Sequence, residues 1–299
     1  GQDTEVENRS ALSIWAASGL VATPIRLQPG TERPAAGWAD LVGDHVILLA
    51  DPFSVPVSQL FGCVAGARPD LAVHGGLASA ARGPGGNRLL LDDAVFTDGA
   101  VGVSLSGVEI TSIVSQGCRP VGQPYTVTES RENVVTGLAS QRPLDLLSSV
   151  AGNATETDRR LLAGGVHVGV VIDESRLDFG RGDFLIRGVV GADPDSGALV
   201  IGSHAPVGTT LQFHVRDAAT ASEDLVDRLD GRTASAALTF TCNGRGEQLF
   251  GRAGHDAELV HELTGSRATA GMFCAGEFGP VGGTNHVHGF TASTLLFAD

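Results

Sequence analysis

The chain has 299 residues, 42% of them hydrophobic, enough to bury one large core or two ordinary ones, and this excludes disorder as its main state. All 20 basic residues are arginine, so the chemistries that need a lysine are excluded: a P-loop, a Schiff base to pyridoxal phosphate, a lysine general base. Against them stand 34 acids, and a net charge of -14 repels phosphate backbones and anionic lipid, which argues against nucleic acid and membrane surfaces as partners.

No apolar run approaches the roughly 18 residues that span a bilayer, and Gly1 to Thr4 has neither a basic nor an apolar segment. Four cysteines, Cys63, Cys118, Cys242 and Cys274, are too few for a disulfide scaffold in so long a chain, and none forms a Cys-x-x-Cys pair. A reducing compartment fits this usage, so a cytoplasmic location is expected.

Alternating apolar residues predict strands over residues 12–17 and 21–27 joined at Ser18-Gly19, with Pro24 placing the second at a sheet edge. The run from His45 to Ala50 reads as a strand covered on both faces. A helix follows in which Val57, Leu60, Phe61 and Val64 share one face, with Ser54 as its cap and Pro56 in its first turn. Leu71 to Val73 returns as a strand, giving a β-α-β unit that ends at His74-Gly75-Gly76. Further strands are predicted on both sides of the Ser106-Gly107 turn.

From Gln116 to Thr128 the chain is rich in glycine and proline, and it is read as extended, turn-forming and the domain boundary. Beyond it come a helix over residues 143–150 and strands over 166–172, 184–190 and 211–215. A helix capped by Asp217 carries Ala218, Ala221, Leu225 and Leu229 on one face and ends at Gly231. A strand at Ala236 to Cys242, a short helix at Ala257 to Leu263 and final strands at 272–275 and 287–297 complete the chain. Runs of neighbouring strands with few helices predict an α+β fold of two domains, residues 1–116 and 117–299, each a mixed, largely antiparallel sheet covered by helices.

Most motifs fail on spacing. Gly244-Arg245-Gly246 lacks the third glycine of a dinucleotide fingerprint, with Leu249 in its place. The sequence Gly102 to Ser106 lacks the closing glycine of a nucleophile elbow. His286 and His288 share one strand face, as two metal ligands must, yet no other Cys or His lies nearby in sequence, so structural roles are favoured and neither a metal nor another cofactor is expected. Cys242 and Cys274 read first as small core residues, with a reactive thiol as the alternative.

Two polar clusters remain. Cys242-Asn243-Gly244-Arg245-Gly246 leaves a strand through a turn whose backbone N–H groups and guanidinium could hold a carboxylate; the alternative is an ordinary turn. Gly276 to Pro280, followed by Gly282 to Gly289, lets backbone approach a ligand closely while Glu277 offers a charge; the alternative is a structural loop.

These clusters carry a family resemblance. Ser115-Gln116-Gly117-Cys118-Arg119-Pro120-Val121-Gly122, Phe240 to Gly246, Gly276 to Pro280 and His288 to Ser293 resemble, in order, the junction and the C-terminal domain of FIST proteins, the F-box and intracellular signal transduction family. Gly75 to Ser79 resembles its N-terminal domain. Gly1 to Glu7 is similar to a stretch well inside that domain, which implies a longer gene product whose opening elements precede Gly1.

The resemblance implies a small-ligand sensor, with amino acids among the candidate ligands and a separate, unidentified signalling partner. For an amino acid, Arg245 and the N–H groups near Asn243 would take the carboxylate and Glu277 the ammonium, while Asn285 and His288 would supply neutral hydrogen bonds and Cys274 would border the ligand. The rival readings are an acyl-transfer or hydrolytic enzyme using Cys274 or Cys242 with His288 or His286 as base, and a protein-interaction scaffold.

Overall fold

The computed structural model describes residues 3–29 and 35–298, and it is α+β with two domains. One compact unit comprises the chain up to Ser115 and again from Ser222; the other runs from Gln116 to Ala221.

The first unit starts with β1 (Val21–Leu27), α1 (Ala35–Ala39), β2 (His45–Ala50), α2 (Val57–Ala67) and β3 (Ala72–Leu77). The predicted β-α-β unit is present, since β2 and β3 pair in parallel from His45 opposite Ala72 to Ala50 opposite Leu77. Ser54 does not cap α2. Pro56 holds that position, and Ser54 Oγ instead donates to Asp51 Oδ2 at 2.6 Å. A small ladder, β4 (Leu89–Leu91) with β5 (Ala94–Phe96), leads to β6 (Ala100–Ser106) and β7 (Ile110–Gln116). No strand forms over residues 12–17; the alternating Leu12, Ile14 and Ala16 are exposed, so that face has no core to cover.

The second unit holds β8 (Cys118–Arg131), β9 (Val134–Leu138), α3 (Pro143–Asn153), α4 (Glu156–Ala163), β10 (His167–Val171), β11 (Phe184–Asp193), β12 (Ala198–Ile201) and β13 (Thr210–Arg216). The six strands close into a barrel in the order β10-β11-β12-β9-β8-β13, which removes every sheet edge. Its core joins Val127, Leu199 and Phe213 to Leu146 and Val150 of α3 and Leu162 of α4. The predicted turn-forming segment after Gln116 is instead the start of β8, a 14-residue strand. The ladder between β8 and β13 shifts between Leu211 and Phe213, a bulge that absorbs Gly122 and Pro124.

The chain re-enters the first unit within α5 (Ala218–Leu229), whose first turn is capped by Asp217: its Oδ1 accepts the Ala219 N–H at 3.0 Å. There follow β14 (Ala236–Cys242), α6 (Glu247–Phe250), α7 (His255–Thr264), β15 (Ala268–Cys274), β16 (Glu277–Val281), β17 (Thr284–His288) and β18 (Thr291–Phe297). One sheet runs β1-β6-β2-β3-β16-β17 and the other β15-β14-β18-β7, so Pro24 does lie on an edge strand.

Three cores stack through this unit. Val46, Leu48 and Ala50 of β2 pack on Leu60, Phe61 and Val64 of α2. On the opposite face of β2, Ile47 and Leu49 meet Phe240, Leu295 and Phe297 between the two sheets. Beyond the second sheet, Ala237 and Leu296 pack on Leu225 and Leu229 of α5 and Val260 of α7. The layers are therefore helix, sheet, sheet, helix, as strict period-two alternation in β2 and β14 requires.

The predicted single strand over residues 287–297 is two strands, broken at Gly289 and Phe290, whose φ of 63° turns the chain from one sheet into the other. The two sheets approach closely at Gly76, where a Cβ would stand 2.5 Å from Cys274 Sγ. Only glycine fits there.

Candidate functional site

β14 and β15 run side by side with Cys242 opposite Cys274, so both end at one level, beside the start of β16. The turn leaving β14 folds inward: the Arg245 N–H returns to Cys242 O at 2.8 Å, and the Asn243 N–H donates to Cys274 O at 2.9 Å. This carries the Arg245 side chain into the protein, where it is 1% exposed.

Arg245 does not face an open hollow. Its Nε and Nη2 donate to Asp256 Oδ2 and Oδ1 at 2.7 and 2.9 Å, a bidentate pair with Asp256 on the first turn of α7. His255 Nδ1 lies 2.9 Å from Asp256 Oδ1, and its Nε2 lies 3.0 Å from Ser222 Oγ. The Phe250 ring stacks on His255 at 3.5 Å and lies under the guanidinium. Burial alone would raise the Asp256 carboxyl, but the charge and hydrogen bonds of Arg245 and His255 hold it at about 2.

Glu277 is also fully buried, opposite both Gly76 and His288 in its sheet. Its Oε2 accepts the Thr291 hydroxyl at 2.7 Å and the Thr291 N–H at 3.3 Å, and the Cys242 thiol also bonds to this carboxyl. Oε1 has no hydrogen-bond partner among the described residues. Burial pushes Glu277 up to about 8 despite Thr291 and the charge of Arg245, so it holds a proton at neutral pH. An acid in that state is a poor counterion for a ligand ammonium.

Asn285 spends its amide on β3, accepting the Val73 N–H at 2.8 Å and donating to Leu71 O at 2.7 Å. His288 Nε2 lies 2.9 Å from Gly279 O across its own hairpin. Cys274 is 0% exposed, and burial, then Glu277 and Cys242, push its thiol well above the usual range, which leaves it protonated and a weak nucleophile. Asn243 alone of the set is exposed. It borders a cleft of about 730 Å³ with Glu7, Arg9 and Ser79.

That cleft shares Val6, Arg9, Ser10, Ser79, Ala80 and Phe273 with a second hollow of about 510 Å³. The second lies between residues 4–13 and the outer face of β14 and β15, where Thr239, Thr241 and Thr269 form part of its wall. Its charged lining residues are Glu5 and Arg9. Burial, then the nearby Asp256, raise Glu5 to about 7, while a hydrogen bond from the Ala257 N–H opposes the shift. Glu5, Arg9 and Asp256 carry no motif. The one visible signal is the acidic alternation of Asp3, Glu5 and Glu7.

Among the described residues, no group of three His, Cys, Asp or Glu is arranged to hold a metal ion. None of the described helices is long and apolar enough to cross a membrane.

The FIST N domain family model matches residues 2–141 and the FIST C domain model residues 143–280. The chain belongs to the FIST family. Its relatives include an uncharacterized protein of Mycobacterium bovis, 42% identical over 307 residues, an alignment that covers 99% of this chain and 79% of the relative. An uncharacterized protein of Mycobacterium tuberculosis is also 42% identical, over 308 residues, covering 99% of this chain and 80% of the relative. FIST domains are generally associated with small-ligand sensing in signal transduction.

Proposed function

We propose that this FIST protein is a small-molecule sensor that binds an amino acid in the hollow beneath residues 4–13 and passes the signal to a separate partner protein. The observation that carries this reading is the hollow itself, about 510 Å³ with one acid, one arginine and four threonines on its walls. Arg9 takes the ligand carboxylate, and Glu5, partly protonated when the hollow is empty, ionises to take the ammonium. Thr239 and Thr241 supply neutral hydrogen bonds, and Asn243 borders the adjoining cleft.

Arg245 and Glu277, expected from the sequence to touch the ligand, act from behind the wall. The Arg245–Asp256 pair anchors the start of α7, which holds Ala257 against the hollow. Asn285 and His288 tie strands of the first sheet together, and Cys274 packs between the two sheets.

Calorimetric titration with the common amino acids tests the assignment. At least one should bind, and Arg9→Ala and Thr241→Leu should each weaken it about tenfold or more, the loss of one charge-assisted contact or of the space itself. Failure of every amino acid to bind, or wild-type affinity in both variants, overturns it.

A further inference from the structure

The hollow has one wall that differs in kind from the rest. Residues 3–18 contain no helix or strand, yet they cross the outer face of β14 and β15 and line both cavities. Leu12 and Ile14 are 84% and 76% exposed, so no apolar face fastens this segment along its length.

Its attachments are local and polar. Glu7 Oε1 accepts the Glu247 N–H at 2.9 Å, the Glu5 carboxyl accepts the Ala257 N–H, and Ser13 Oγ accepts the Gly271 N–H at 3.3 Å. At the far end the Trp15 ring lies tilted against Phe297, centroids 4.8 Å apart, and packs on the core between the sheets. Gly246 has φ 137°, and a Cβ there would collide with the Glu7 carboxylate. The turn after β14 is thus shaped to receive Glu7.

We propose that residues 3–13 are a strap, hinged at Trp15 and latched by Glu7 on the Gly246–Glu247 turn, and that its release opens the hollow. A segment held by a few hydrogen bonds opens at far lower cost than the sheets beneath it. The latch concerns the same hollow as the sensor reading, and it rests on that reading only for the identity of what enters.

Glu5 makes the strap sensitive to pH. The groups that face it are Asp256, Glu7 and Arg245, together with the Ala257 N–H, and of the two acids Asp256 opposes its ionised form more strongly. The docked strap holds a proton up to about pH 7 that the released strap gives up near 4.5. Docking is therefore firmest in acid, weakens as pH rises through that window and is constant above it.

Limited trypsin digestion tests the latch without any ligand. The chain has no lysine, and Arg9 lies exposed within the strap, so intact mass reports cleavage at Arg9–Ser10 as loss of the segment that ends at Arg9. Glu7→Ala should be cut there about tenfold faster than wild type, as for loss of one hydrogen bond to a charged group, with an unchanged global unfolding midpoint. Glu5→Gln should slow the cut at pH 8, and should remove the pH dependence left after normalising to an unstructured reporter peptide. Equal cleavage of wild type and Glu7→Ala overturns the proposal. Added amino acid that fails to change a latch-dependent rate counts against the sensor reading alone.

Discussion

Arg245 and Asp256, eleven residues apart in sequence, form a bidentate ion pair in which each side chain is 1% exposed. A buried pair of this geometry recovers its desolvation cost only while both members are present. Asp256→Ala should therefore destabilise the protein by about 3–5 kcal/mol in denaturant unfolding, because it strands a buried guanidinium. Arg245→Met combined with Asp256→Leu should recover a large part of that loss. A single variant with wild-type stability would show that the pair contributes nothing.

Glu277 gives the fold a pH dependence of known sign. Its carboxyl is raised to about 8 when folded and lies near 4.5 when unfolded, so the folded state holds the extra proton. The resulting stabilisation is complete below about pH 4.5 and is lost as pH rises toward 8. Glu277→Gln should flatten the stability profile between those limits and gain most over wild type at alkaline pH. Urea unfolding at pH 5, 7 and 9 reads this directly; parallel profiles for the two proteins would contradict it.

Asn285 completes the hydrogen bonding of β3 from a neighbouring hairpin. Asn285→Ala leaves the Val73 N–H and the Leu71 carbonyl without this partner, at a cost of about 2–4 kcal/mol for the two groups. The expected outcome is a lower melting temperature, with ligand affinity unchanged at temperatures where the protein is folded. Lost affinity in a fully folded variant would return Asn285 to the binding surface.

Thiol accessibility separates sensor from thiol enzyme. Cys118, Cys242 and Cys274 are buried and Cys63 is intermediate. Iodoacetamide at neutral pH should label Cys63 first and the other three only on unfolding, as followed by peptide mass. Rapid stoichiometric labelling of Cys242 or Cys274 would instead favour the acyl-transfer reading.

Where local pattern and burial agree, the elements are legible in the chain. Val57, Leu60, Phe61 and Val64 of α2 are buried as their spacing predicts, and β2 alternates between two cores. Legibility fails where closure of a sheet outweighs local chemistry. Pro120, Gly122 and Pro124 read as turns, yet the barrel needs a strand there and takes up the misfit in a bulge. Residues 12–17 fail in the opposite sense: the alternating Leu12 and Ile14 face solvent, while the adjacent Trp15 packs on the core.

The site divides along the same line. Residue types and glycine spacing singled out Arg245, Glu277 and Asn243, and all three lie near the ends of β14 and β16. Glu5, Arg9 and Asp256 were not legible, because each gains its role from neighbours far away in sequence.

The sequence by itself determined the periodic elements, the family and the absence of lysine chemistry, all of which are local or compositional properties. Only the tertiary structure decided that Arg245 pairs with Asp256, that Glu277 keeps its proton and that an acidic strap covers the hollow. Ion pairing and proton affinity depend on distance through space and on exclusion of water, and neither exists until the sheets have stacked.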